Sequence, residues 1–147
     1  MIVKTNPWCR IYYNFGMTDS ELSLYELLGG ETGLRALVNR FYDIMDSSTE
    51  AERIRSFHAK SLNQSREKLF MFLSGWSGGP QLYVERFGHP RLRMRHMPFA
   101  IGAIERDQWL WCMNKALEES QINPRVVNYL KARFAEVADA MRNQLEK

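Results

Sequence analysis

The chain has 147 residues, 45% hydrophobic and 25% charged, a size and balance that fit one globular domain around one core. Twenty basic against seventeen acidic residues leave a net charge of +3, too even for the clustered basic surface that nucleic acid requires, and no apolar run approaches the ~20 residues of a membrane span. Cys9 and Cys112 are too few and too far apart for a disulfide framework or a Cys-x-x-Cys zinc site, and the first ten residues, with Pro7 among them, lack the apolar stretch of a signal peptide. The expectation is a cytoplasmic protein with neither a nucleic-acid nor a membrane partner.

Residues 1–17 show no clear period and read as an N-terminal extension that could dock Trp8, Ile11 and Tyr12 on the body. Helical signals follow. Thr18 and Glu21 have capping-box spacing and open a segment over 20–28, which Gly29 and Gly30 stop. In 31–45, Leu34, Leu37, Val38, Phe41, Tyr42 and Met45 follow the i, i+3, i+4, i+7 rule. Tyr42 lies inside that stripe, so its hydroxyl must enter the interior and find a partner. A polar stretch over 46–60 contains a helical turn before Phe57 and His58. A third long helix is predicted over 62–76, capped by Ser61 or Asn63, with Leu62, Leu69, Phe72, Leu73 and Trp76 on one side. GWSGGP at 75–80 breaks it, 81–87 forms a short helix, and Gly88-His89-Pro90 breaks the chain again. One more turn over 91–96 is halted by Pro98. The helix over 105–119 places Trp109, Cys112, Met113 and Ala116 on one face. The last begins after Asn123 with Pro124 as its first residue, and its stripe runs Val127, Leu130, Phe134, Val137, Ala138, Met141 and Leu145. No strand-like alternation competes, so the fold class is all-α.

Chemistry by side chains alone has little support. There is no nucleophile elbow, P-loop or dinucleotide fingerprint, and Glu118-Glu119 is a helix-terminal, exposed pair. The three histidines, His58, His89 and His96, share no helical face as a zinc site would need. Haem asks less, because the porphyrin supplies four nitrogens and the protein adds one axial imidazole. His96 ends a basic turn that contains Arg91, Arg93 and Arg95, cations suited to haem propionates at a pocket rim. A solvated basic surface explains Arg91 and Arg93 equally well. Met94, Met97 and Phe99 add apolar surface that suits a flat macrocycle or an ordinary core.

The segments LYELLGGETG at 24–33, Phe41-Tyr42, GWSGGP at 75–80, GHPRLRMRHMPF at 88–99 and IERDQWLWCM at 104–113 resemble the group II truncated haemoglobins. The resemblance covers about 20–145, which makes 18–147 a globin domain behind the extension. It implies a globin-like, two-over-two helical sandwich around one haem b. By the same resemblance, His96 is the proximal ligand to the iron and Arg95 a propionate partner. Tyr42 and Trp109 line the distal side, with Ser65 and Leu69 above the haem. The pairs Gly29-Gly30 and Gly78-Gly79 fall at the family's sharp turns. Phe57 stands where members often carry a tyrosine, and His58 follows it. A shift of one residue in that loop exchanges their roles, so His58 is either a distal donor, a sixth ligand or an exposed loop histidine.

The function implied is reversible binding of oxygen, nitric oxide, carbon monoxide or related ligands, with coupling to oxidative or nitrosative stress chemistry. Tyr42 and Trp109 would retain ligands that acquire negative charge, provided they are not merely packed aromatics. An oxygen carrier or store and a gas-sensing module are the competing readings, as is a haem-free helical interaction protein. No flavin or nicotinamide motif is present, so a catalytic cycle needs an external reductase.

Overall fold

The computed structural model describes residues 22–145, and what positions its parts is the alternation of amphipathic helices with glycine turns. Ser23 caps the first helix, α1 (Leu24–Leu27), its hydroxyl accepting the Glu26 N–H at 3.1 Å. The Thr18–Glu21 capping box and the 1–17 extension lie outside the described residues. Gly29 and Gly30, at φ 96° and 65°, turn the chain into α2 (Gly30–Ser47). A side chain at Gly79 would collide with the Tyr25 ring, so this second turn needs glycine for the close approach of α1.

The predicted stripe of α2 is buried as expected, with Ile44 added to it. Each such side chain contributes about 1.5–3 kcal/mol when fully buried, which makes α2 the main anchor of the core. A 3-10 turn (Thr49–Ala51) and α3 (Glu52–Ser56) fill the polar stretch. Helix α4 (Asn63–Trp76) starts one residue later than the spacing suggested; Leu62 is buried just before it, and the Ser61 hydroxyl accepts the Asn63 N–H at 3.3 Å. Its apolar surface is wider than one stripe. Phe70, Met71 and Leu73 enter the core, whereas Leu69, Phe72 and Trp76 are only half-buried and face a cavity.

Two short helices follow, α5 (Leu82–Phe87) and α6 (Leu92–His96), and then the long α7 (Ala103–Glu118) and α8 (Pro124–Ala140). Cys112, Met113 and Ala116 of α7 are buried as predicted. Helix α8 begins as the sequence indicates, with the Asn123 side chain accepting the Arg125 N–H at 2.9 Å. Its expected run to Leu145 is corrected: the helix ends at Ala140 and Leu145 is 96% exposed. The N–H groups of Asn143 and Gln144 bond the Ile101 carbonyl instead of continuing a helical ladder. Helix α2 lies on α4, α7 lies on α8, and α2 crosses α7, so two helix pairs stack with the core between them. No strand occurs among the described residues.

Candidate cofactor-binding site

Between the helix pairs lies a cavity of about 350 Å³, within the ~300–1,000 Å³ of small-molecule and cofactor sites. Its walls come from α2, α3, α4, α6, α7 and α8 and are mostly apolar. Of the residues expected at a haem, Tyr42, Phe57, His58, Ser65, Leu69, His96 and Trp109 line it. Arg95 does not. Its Nε donates to the Pro90 carbonyl at 2.6 Å and its guanidinium lies 5.6 Å from the Tyr83 ring centroid. Met94 and Met97 are also turned outward, each 57% exposed, and only Phe99 of that apolar trio reaches the cavity.

The local geometry of α6 explains these placements. Leu92 and His96 are four residues apart, so both point inward, and the intervening residues point to solvent. The Nδ1 of His96 meets the Leu92 carbonyl at 2.7 Å. Because a carbonyl only accepts, Nδ1 carries a proton, and in the neutral tautomer this leaves the lone pair on Nε2. His58 follows α3 and repeats the arrangement, with Nδ1 2.8 Å from the Ile54 carbonyl. Burial pushes the His58 imidazole below its ordinary 6.5; the Ile54 bond opposes that shift, and Arg55 and His96 add to it. His58 is therefore neutral at neutral pH, and its free nitrogen accepts rather than donates.

Tyr42 is 5% exposed, and its ring lies 5.8 Å from that of His58. Burial raises its phenol far above the ordinary value, a shift only partly offset by Arg66, so it stays protonated. Trp109 is held by Phe41 at 5.0 Å and Phe134 at 5.9 Å between ring centroids. Tyr42 and Trp109 bring a phenol hydroxyl and an indole N–H to the cavity wall. Two donor-bearing side chains thus stand on a mostly apolar wall, where a small polar ligand can accept from them.

Sequence reasoning missed part of the wall. Trp76 stacks on Phe134 at 5.1 Å, and Phe134, Val137 and Ala138 of α8, with Met141 just beyond it, serve the cavity, although the helical stripe alone made them ordinary core. Glu105 is 4% exposed and at the cavity edge. Burial alone would raise its pKa, but the Gly102 and Glu105 N–H groups together with Arg53 hold it below the usual carboxylate range. A Gly-x-x-Glu spacing could have signalled this cap; nothing in the sequence pointed to Arg53.

The model of the bacterial-like globin family matches residues 23–143. The chain is 35% identical over 122 residues to group 2 truncated hemoglobin YjbI of Bacillus subtilis, spanning 83% of this chain and 89% of that protein. Among solved structures, the cold-adapted truncated hemoglobin of the Antarctic marine bacterium Pseudoalteromonas haloplanktis matches with a TM-score of 0.83 and 48% identity, covering 84% of this chain and all (100%) of that one. The group II 2-on-2 hemoglobin of Agrobacterium tumefaciens matches with a TM-score of 0.83 and 41% identity, covering 88% of this chain and 100% of that one. The chain belongs to the bacterial-like globin family, as a group II truncated haemoglobin with the two-over-two fold.

Haem-based binding of small diatomic ligands is the general property of that family. The residues present fit such a group. A flat, apolar cofactor suits the cavity walls, the Nε2 of the His96 tautomer set by Leu92 suits iron, and the Tyr42 hydroxyl and Trp109 indole N–H suit a small polar ligand.

Proposed function

We propose that the chain holds a haem b through Nε2 of His96 and binds oxygen, nitric oxide, carbon monoxide or related ligands beside Tyr42 and Trp109. The observation that carries this reading is the Nδ1 bond of His96 to the Leu92 carbonyl at 2.7 Å, which selects the tautomer whose Nε2 can ligate iron and places that ring at an apolar cavity. When bound, the haem supplies reversible coordination of a diatomic molecule and one-electron chemistry that these side chains lack. Tyr42 and Trp109 donate hydrogen bonds to a ligand that gains negative charge. Phe57, Ser65 and Leu69 complete the wall and limit water. His58, whose Nδ1 is tied to Ile54, serves as a sixth ligand in the ferric form through its other nitrogen. Arg95 becomes a propionate partner by exchanging its Pro90 carbonyl for a carboxylate.

Two donors slow ligand escape, which makes oxygen delivery inefficient and favours redox removal of oxidative or nitrosative species. Such turnover draws electrons from an external reductase, since the chain carries no flavin or nicotinamide motif. In this reading 18–147 is the globin domain, 1–17 its extension, and the compartment is the cytoplasm. The test is the absorption spectrum and haem content of His96→Ala. Loss of stable haem is expected; undiminished haem with an unchanged ferrous spectrum would falsify the assignment.

A further inference from the structure

Helix α6 has little of its own to hold it. It has five residues, no buried side chain and no side-chain cap, and it starts at Arg91 with φ 45°, a left-handed conformation for a residue with a Cβ. A single turn does not sustain itself in water. Its position is set by the chain just beyond α8. Nδ2 of Asn143 donates to the Phe99 carbonyl at 2.8 Å and to the His96 carbonyl at 3.3 Å, while its Oδ1 accepts the Ile101 N–H at 3.0 Å. The Asn143 N–H reaches the Ile101 carbonyl at 2.8 Å. From α6, Arg93 Nη1 donates to the Ala140 and Arg142 carbonyls at 2.6 and 3.3 Å. Residues 140–143 therefore grip the segment that carries His96 on both sides of it.

From this geometry we infer that Asn143 is a positioning residue for the His96 imidazole. The Leu92 carbonyl fixes the rotation of the ring relative to α6, and Asn143 fixes α6 relative to α7 and α8. The bond to the His96 carbonyl acts on the backbone of the ligand residue itself, alongside the Phe99 N–H that reaches the same oxygen at 3.0 Å. The inference rests on the reading that His96 holds the iron. Without Asn143, α6 tilts, and the imidazole meets the metal at a different angle and strain.

The experiment is resonance Raman of the ferrous, ligand-free holoprotein, which reads the iron–imidazole stretch, together with the rate of haem transfer to an acceptor protein. Asn143→Ala removes the whole grip. Asn143→Asp keeps the shape and the acceptor for Ile101 but loses both donated bonds. Asn123→Ala, at the far end of α8, serves as a control for lost stability. Both Asn143 variants should shift or broaden the stretch and lose haem about 10-fold faster than the control, the order expected for one lost hydrogen bond. A lowered melting temperature with the wild-type stretch and control-like haem loss would reduce Asn143 to a structural residue and overturn the inference. A wild-type protein that takes up no haem would overturn the functional reading along with it.

Discussion

Tyr42, Trp109 and His58 meet one cavity with three different proton inventories. Tyr42 is a neutral donor, Trp109 can only donate, and His58 offers a lone pair because its proton is committed to Ile54. Replacing Trp109 by Phe keeps the ring but removes the donor. A lost hydrogen bond of ~1–3 kcal/mol should speed oxygen release roughly 5- to 150-fold. Stopped-flow traces that match wild type would make Trp109 packing alone. Tyr42→Phe should act in the same direction, without additivity, since the two share a ligand. For His58 the folded pKa lies below the unfolded 6.5, so the unfolded chain binds more protons in the window between them. Stability is then fully present above 6.5 and is lost as pH falls through that window toward the folded value. His58→Gln should flatten this dependence in urea titrations of the carbon-monoxide form, where the sixth position is occupied. An unchanged pH slope would show that His58 is solvated.

Elements with long apolar stripes or strong caps were legible in the sequence. Helix α2 and the start of α8 belong here, because the 3.6-residue period and the Asn-Pro cap are local properties. Asn123→Ala should therefore cost about 0.5–2 kcal/mol in chemical denaturation while leaving the haem spectrum intact. Other boundaries were not legible, because partners distant in sequence decide them. At the start of α7 the Gly102–Glu105 cap is local, but Arg53, 52 positions from Glu105, holds the capping carboxylate. The end of α8 is set by Ile101, 42 positions from Asn143. Arg95 escaped for a related reason: its neighbour in sequence lines the cavity, but on a one-turn helix adjacent residues point about 100° apart. The same turn sends Met94 and Met97 to solvent.

At the scale of the whole molecule, the cavity is not appended to the core but divides it. Six helices contribute to its wall, and Leu73 and Phe134 belong at once to the core and to the lining. Stability and ligand binding are consequently linked, since anything that fills the space binds the folded chain and not the unfolded one. A space of about 350 Å³ leaves its apolar lining without packing partners, and whatever fills it restores those contacts. Extraction of haem should accordingly lower the melting temperature steeply. Hydrogen exchange should accelerate first in α6, which has no buried side chain, and in α3, whose only buried residue is Ile54 at the cavity wall. Helices α2 and α7, with their deep stripes, should keep their protection longest. Adding haem back to the wild-type chain should restore both readouts, whereas His96→Ala should regain neither. Equal melting temperatures with and without haem would mean that the apolar walls collapse on themselves, and that the cofactor contributes nothing to holding the two helix pairs apart.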